Sequence, residues 1–251
     1  MIPACTLRPE PRAQAQVGNR FELKFAVPSD RVGALLDELG PYLDRDPHAS
    51  ATGYSVHSTY WDSPDLGCFW EKVDGQKYRR KVRFRRYRPG RHGFLEIKQR
   101  IDRSVQKRRV PITIERVRQV LGDRCESASD PVLHPVEQEA QFLCRHFALG
   151  PSFDVAYRRR AYFARVEPAL RVTFDTRLHY EPQRGEGVEE DASFECSKTL
   201  LEPSLTLMEV KFNHRVPIWL TKKIGVFGLR LVRFSKYCAA VDRELFDGRH
   251  T

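Results

Sequence analysis

Six short segments of this 251-residue chain place charged side chains two or four positions apart. They are Glu22-Leu-Lys24, Lys81-Val-Arg83-Phe-Arg85, Glu96-Ile-Lys98, Tyr157-Arg-Arg159-Arg-Ala161, Arg171-Val-Thr-Phe-Asp175 and Glu209-Val-Lys211. Successive side chains of a strand point to opposite faces, so the residues at that spacing share one face, while apolar residues such as Val82 and Phe84 share the other. Gathered around one lumen, Lys24, Arg83, Arg85, Lys98, Arg159, Arg171 and Lys211 set seven cations against four carboxylates. That surplus suits a polyanion, because arginine forks match phosphate oxygens bidentately and lysine supplies a compact point charge. Glu22, Glu96 and Glu209 are oxygen donors of the kind a hard divalent cation takes together with water and phosphate oxygens. With no nucleophilic Ser or Cys beside a base, metal-assisted phosphoryl transfer is the most economical chemistry. Any one such segment alone reads more readily as a solvated sheet face with cross-strand ion pairs; the recurrence across six segments is what points to a site.

Strands must carry these faces. The first candidate runs from Arg20 to Val27, followed by a helix that Pro28-Ser29 starts, Val32, Leu35, Leu36 and Leu39 line at helical spacing, and Gly40-Pro41 stops. Tyr54 to Asp62 is rich in strand formers, and Ser63-Pro64-Asp65 opens a short helix ending near Asp74-Gly75. Strands over about 78–88, 92–101 and 104–114 follow, the first two joined by a Pro-Gly turn. After a polar loop at Cys125–Asp130, Val136, Ala140, Leu143 and Phe147 mark an amphipathic helix from Pro135 to Ala148, expected to cover one end of a sheet. Further strands are predicted at Ser152–Phe163, Ala169–His179, Ala192–Ser197 and Ser204–Phe212, with an acidic loop at 184–191. Helices at Val216–Phe227 and Ser235–Phe246, separated by Gly228, close the chain. The expected fold class is mainly β (α+β): an antiparallel β-barrel tunnel of the eight-stranded type with flanking helices, oily faces outward and charged faces inward.

An apolar content of 41% with 30% charged residues is that of a soluble globular domain, and no apolar run approaches the ~20 residues that cross a bilayer. Met1 to Gly18 reads as a flexible leader lacking signal-peptide layout, ahead of a single domain over 19–248. A net charge of +10 implies an anionic partner, and nucleic acid, acidic membrane and phosphorylated small molecules all satisfy it. The basic residues sit in regular elements, without an RGG tract, zinc finger or lysine tail, so no nucleic-acid partner is expected. The six cysteines lie far apart with no CxxC pair, which argues against zinc and secreted disulfides and favours a reducing cytoplasm. None of the eight histidines forms an HxH or HExxH arrangement. Lys107-Arg108-Arg109 reads either as a gate to the lumen or as a solvated strand, Tyr60, Trp61, Phe69 and Trp70 as core, and Ser235 as a helix cap.

Arg20-Phe-Glu-Leu-Lys24, Tyr54 to Asp65, Lys81-Val-Arg-Phe-Arg85, Phe94-Leu-Glu-Ile-Lys98 and Leu207-Met-Glu-Val-Lys211 together resemble the VTC domain. This is the catalytic module of the vacuolar transporter chaperone polyphosphate polymerase, within the CYTH-like superfamily of triphosphate tunnel metalloenzymes. Tyr157–Tyr162, Arg171–Asp175 and Ser235–Tyr237 extend the match to about residues 19–245. The resemblance implies an antiparallel tunnel in which Lys24, Arg83, Arg85, Lys98, Arg159, Arg171 and Lys236 clamp phosphates and Glu209 holds Mn²⁺ or Mg²⁺. It implies transfer of the γ-phosphoryl group of ATP to a growing polyphosphate end, with ATP and polyphosphate or triphosphate as the ligands. Arg20 stands where related CYTH-type triphosphatases carry the first Glu of ExExK, which fits the VTC branch. The SPX and transmembrane regions that accompany the eukaryotic domain are not found in this stretch.

Overall fold

The computed structural model describes residues 21–47, 49–87, 90–102, 104–122, 132–183 and 197–246. Several expectations lie outside them: the leader, Arg20, the ends of the domain, the Cys125–Asp130 and 184–191 loops, Pro89 of the turn, and the proposed strand at Ala192–Ser197 apart from Ser197. The described elements are, in chain order, β1 (Phe21–Pro28), a 3-10 turn (Ser29–Arg31), α1 (Val32–Leu39), β2 (Leu43–Arg45), β3 (Tyr54–Asp62), α2 (Gly67–Val73), β4 (Tyr78–Arg86), β5 (His92–Ile101) and β6 (Ser104–Thr113). There follow α3 (Ile114–Leu121), α4 (Pro135–His146), β7 (Gly150–Ala164), β8 (Arg171–Pro182), β9 (Lys198–Thr199), β10 (Leu205–Phe212), α5 (Ile218–Val226) and α6 (Lys236–Phe246). The fold is mainly β, with six α-helices around one sheet among the described residues.

Eight strands form a continuous path, β1-β10-β8-β7-β3-β4-β5-β6, with β2 added beside β7 and β9 beside β8. Every ladder is antiparallel. No ladder joins β1 to β6 among the described residues, so the expected barrel is not closed by hydrogen bonds. The sheet nevertheless curls, bringing Lys98 Nζ on β5 to 4.0 Å from Glu22 on β1. The free edge of β1 is met by the chain leading into α6: Phe25 bridges Leu231, and the Val232 N–H donates to the Lys24 carbonyl at 2.8 Å. An edge strand covered in this way no longer offers its backbone to another chain.

Alternation along the strands sorts the faces as expected. On the convex side Phe25, Val27, Val172, Phe174, Met208 and Val210 pack on Leu35 and Leu39 of α1 and Leu220 of α5. Further round, Val82, Phe84, Leu95, Ile97, Val110 and Ile112 pack on Val117 of α3 and Val136, Ala140 and Leu143 of α4. Each such side chain, fully buried, stabilises the fold by about 1.5–3 kcal/mol. Helix α4 therefore covers the outer face of β5 and β6 rather than an end of the sheet, because its apolar stripe needs their apolar side.

The concave side departs from the simple inside-charged rule. Over β3, β7 and β8 it is oily: Val56, Tyr60, Phe153, Val155, Tyr157, Leu178 and Tyr180 pack against Tyr237, Cys238, Ala240 and Val241 of α6. A bulge keeps Leu178 and Tyr180 on that side. The β7–β8 register slips between Ala156 and Arg158, and Arg177, with φ of 50°, absorbs the extra residue. Asp62, at the end of β3, accepts from the Cys68 and Phe69 N–H groups of α2 at 2.8 and 3.1 Å and from the Tyr237 hydroxyl, tying α2 to α6.

Three short features went unpredicted. The two- and three-residue strands β9 and β2 are too short to show a period. Helix α3 begins at Ile114, the end of the strand expected over about 104–114; Thr113 caps it, its hydroxyl accepting from the Arg116 N–H at 3.3 Å.

Candidate functional site

Register turns the charged segments into cross-strand rows. Lys24, Glu209 and Thr173 are neighbours across β1, β10 and β8; Glu22, Lys211 and Arg171 form the next row, and Arg159 on β7 faces Asp175. On the other wall Arg83, Glu96 and Arg109 align across β4, β5 and β6, followed by Lys81, Lys98 and Lys107.

Glu209 is the hub of one cluster. Its Oε2 accepts from Arg159 Nη2 and Lys211 Nζ, each at 3.0 Å, and its Oε1 accepts from Lys236 Nζ at 2.8 Å, with Lys24 Nζ 3.5 Å away. Asp175, fully buried, receives the Arg159 guanidinium bidentately at 2.6 and 2.7 Å and Lys236 at 2.6 Å. Arg159 and Lys236 also lie 5.1 and 4.5 Å from the centre of the Tyr157 ring, within cation–π range. Burial opposes ionisation of Glu209, but Lys211, Lys236, Lys24 and Arg159 hold its carboxyl well below the usual range. Asp175 is likewise lowered, burial being outweighed by Arg159 and Lys236. Burial lowers the Lys211 ammonium to about 8, with Arg159 adding to the effect and Glu209 and Glu22 opposing it.

A second cluster centres on Glu96, which is also fully buried. Arg83 reaches its Oε2 through Nε at 2.7 Å and Nη2 at 2.6 Å, Lys107 pairs with its Oε1, and Arg85 Nη1 stands 3.8 Å away. Arg83 also donates to the Tyr60 hydroxyl at 3.2 Å, and Arg85 to Ser58 at 3.2 Å. Burial would raise the Tyr60 phenol, but Arg83 and Arg85 bring it down to about 8. Burial, with Arg83 and Arg85 nearby, lowers Lys107 to about 7 despite its pairing with Glu96.

Glu22 extends the Glu209 cluster toward β5. Lys24 Nζ is 3.0 Å from one of its oxygens and Lys98 approaches the other. Against the effect of burial, Lys24, Lys211 and Lys98 pull its carboxyl down to about 2. Arg171 stands slightly apart, donating to Asp46 at 3.0 Å and the Tyr54 hydroxyl at 3.2 Å, with its Nε buried and unpartnered. Gly53 helps to place this wall. It has φ of +86°, and a Cβ there would lie 2.2 Å from the Arg159 carbonyl oxygen.

The seven cations and four carboxylates singled out in the sequence, and Lys236 with them, thus face the concave cleft. The three carboxylates expected to bind metal do not converge: Glu96 and Glu209 have no ion-pair partner in common. Among the described residues no three Asp, Glu, His or Cys side chains come together as a metal-binding group. Glu22 and Glu209 are different, since the Lys24 ammonium lies between them and both are ionised. Two hard carboxylates fit a divalent cation that draws its remaining oxygens from phosphate and water.

The sequence leaves Lys107 undecided and gives no sign of Asp46 as the partner of Arg171; Tyr60 is core, as expected, and also accepts from Arg83. The alternation of Lys107 with Arg109 was a usable signal for the first. Asp46 lies outside any strand and carried none. Counting Lys24, Arg83, Arg85, Lys98, Lys107, Arg159, Arg171, Lys211 and Lys236 against Glu22, Asp46, Glu96, Asp175 and Glu209, nine cations face five carboxylates. Such an excess in a partly buried cleft is costly until anions neutralise it.

Among solved structures the chain is similar to the PH1819 protein of Pyrococcus horikoshii OT3, at 14% identity over 89% of this chain and 99% of that one, with a TM-score of 0.46. It is also similar to proteins described as proposed adenylate cyclases. The one from Vibrio parahaemolyticus is 11% identical over 91% and 99% of the two chains, with a TM-score of 0.47. The one from Bacillus halodurans is 11% identical over 87% and 94%, with a TM-score of 0.49. No curated protein matches the chain. The family model of the VTC domain matches residues 19–244, and the chain belongs to the VTC domain family.

Proposed function

We propose that this protein is a metal-dependent polyphosphate polymerase, transferring the γ-phosphoryl group of ATP to the end of a polyphosphate chain held in the cleft. The surplus of nine cations over five carboxylates on one concave face carries this reading, together with membership of the VTC family. Lys24, Arg83, Arg85, Lys98, Arg159, Arg171, Lys211 and Lys236 would bind phosphate oxygens. Their own carboxylate partners hold several of them in fixed directions before any ligand arrives, and such preorganisation is what stabilises a transferring phosphoryl group. The bond broken joins the γ-phosphorus to the β–γ bridging oxygen, and the bond formed joins it to a terminal oxygen of the acceptor chain, leaving ADP. No side-chain nucleophile is required, which agrees with a cleft lined by cations.

Mn²⁺ or Mg²⁺, when bound, would neutralise charge on the reacting phosphates; Glu209 and Glu22 are the residues proposed to hold it, and Glu96 instead orders Arg83 and Lys107. Incubation with ATP and Mn²⁺, followed by gel separation of polyphosphate, tests the reading, with Glu209→Gln as the inactive control. Release of free phosphate without polymer overturns it in favour of a triphosphatase acting on inorganic or nucleoside triphosphates. Binding without turnover would instead mark a polyphosphate-binding module.

A further inference from the structure

The two buried clusters do not use all the positive charge on the concave face. On β4, Arg79 shares the face of Arg83, and on β5, Arg100 shares the face of Glu96 and Lys98; the register sets Arg79 directly opposite Arg100. The adjacent row sets Lys98 opposite Lys107, and the next carries Arg109 beside Glu96. Among the described residues none of Arg79, Arg100 and Arg109 has a carboxylate within ion-pair distance. Arg79 reaches only the Lys72 carbonyl, Arg100 the Asp102 carbonyl, and Arg109 lies over the Phe94 ring at 4.7 Å. Like charges directly opposite one another destabilise a sheet, and burial together with Arg100 lowers the Arg79 guanidinium.

This wall is also the accessible one. Over β3, β7 and β8 the concave face is filled by α6 and its apolar cluster. Over β5 and β6 it faces solvent: Lys98 and Lys107 are 47% and 41% exposed, and Arg100 and Arg109 are exposed too. Two steps of two residues separate the Arg109 row from the Arg100 row, a span of about 13 Å at strand rise.

We infer that the β4–β6 wall is an outer anion track, with Arg79, Arg100 and Arg109 as its own residues, which takes phosphate groups of a linear chain too long for the buried clusters. The inference rests on the proposed reading of those clusters as the phosphate site. It assigns the direction in which a long chain leaves the cleft: over β5 and β6. It also makes the site sensitive to chain length.

The test is calorimetric binding of tripolyphosphate and of long-chain polyphosphate to the full chain and to a variant carrying Arg79→Ala, Arg100→Ala and Arg109→Ala. A control variant carries Arg145→Ala and Lys222→Ala, exposed cations on the helices α4 and α5. The triple variant should keep its affinity for tripolyphosphate within about twofold and lose long-chain affinity several-fold, with a shallower dependence on salt for the longer ligand. The control should change neither. Equal loss for both ligands, no loss for either, or the same long-chain loss in the control overturns the track while leaving the buried site standing. Failure of the unaltered protein to bind tripolyphosphate overturns the reading of the buried clusters, and the track with it.

Discussion

Lys211 shows how a single side chain records the state of the cleft. Its ammonium donates to Glu209 at 3.0 Å, yet burial with Arg159 nearby lowers it to about 8 from an ordinary 10.5. A phosphate group placed beside it would favour the charged form and raise that value. Below about pH 8 the ammonium is already charged and binding takes up no proton; above it, binding must recharge the amine. Affinity for tripolyphosphate should therefore fall as pH rises from 8 toward 10, by up to about tenfold per unit for one coupled proton. Lys211→Arg, charged throughout, should make the profile shallower above pH 8 and remove the share of Lys211 from the proton uptake seen by calorimetry in buffers of different ionisation heat, while Lys107, lowered to about 7, keeps its own. An unchanged profile would mean that Lys211 does not meet the ligand. Glu209 makes a second prediction at this scale. In Glu209→Gln, Arg159, Lys24, Lys211 and Lys236 lose their shared anion, and breaking a buried pair costs about 3–5 kcal/mol. Denaturant unfolding should show a loss of that size, partly restored by tripolyphosphate, which supplies replacement charge. The charged identities were legible in the sequence because alternation is local; the partner of each cation was not, since Lys24 and Arg159 meet Glu209 only through strand order.

Among the elements, β8 depends most on one irregular residue. Arg177 is exposed, sits at φ of 50° and occupies the bulge that keeps Leu178 and Tyr180 inward. Deleting it would turn both side chains, now 1% and 3% exposed, toward the convex face, since a one-residue shift exchanges the faces of a strand. Two such losses at about 1.5–3 kcal/mol each consume much of a typical fold's stability. The deletion should yield little soluble folded protein. Arg177→Gly, which suits the left-handed conformation, should be neutral or stabilising by up to about 1 kcal/mol in denaturant unfolding. A deletion variant that unfolds like the parent would show that the bulge does not set the face. The strand at Tyr54–Asp62 was readable to the residue from its β-formers, and α4 from its spacing of Val136, Ala140 and Leu143. The bulge was invisible, because its cause is the pairing of β8 with β7 and not any turn residue in Arg171–Pro182.

For the whole molecule, the uncompensated charge of the cleft should make stability depend on anions. Tripolyphosphate at a hundred times its Kd should stabilise the protein by about 2.7 kcal/mol and raise Tm with concentration, and added monovalent salt should weaken the effect by screening. A Tm indifferent to tripolyphosphate would remove the polyanion site. No helix among the described residues is long and apolar enough to cross a membrane. What the sequence determined by itself was the eight long strands and the excess of cation along one side of several of them, because period-two alternation and helical spacing are properties of short segments. Only the tertiary structure decided that the sheet stays open between β1 and β6, that α6 fills one side of the cleft, and that the carboxylates divide into separate clusters around Glu96 and Glu209. It also decided that the chain returns along the edge of β1, where Lys24 Nζ donates to the Phe234 carbonyl at 2.8 Å, to bring Lys236 between Asp175 and Glu209. These are contacts between residues far apart in the chain, set by strand order and curvature, which no local pattern encodes.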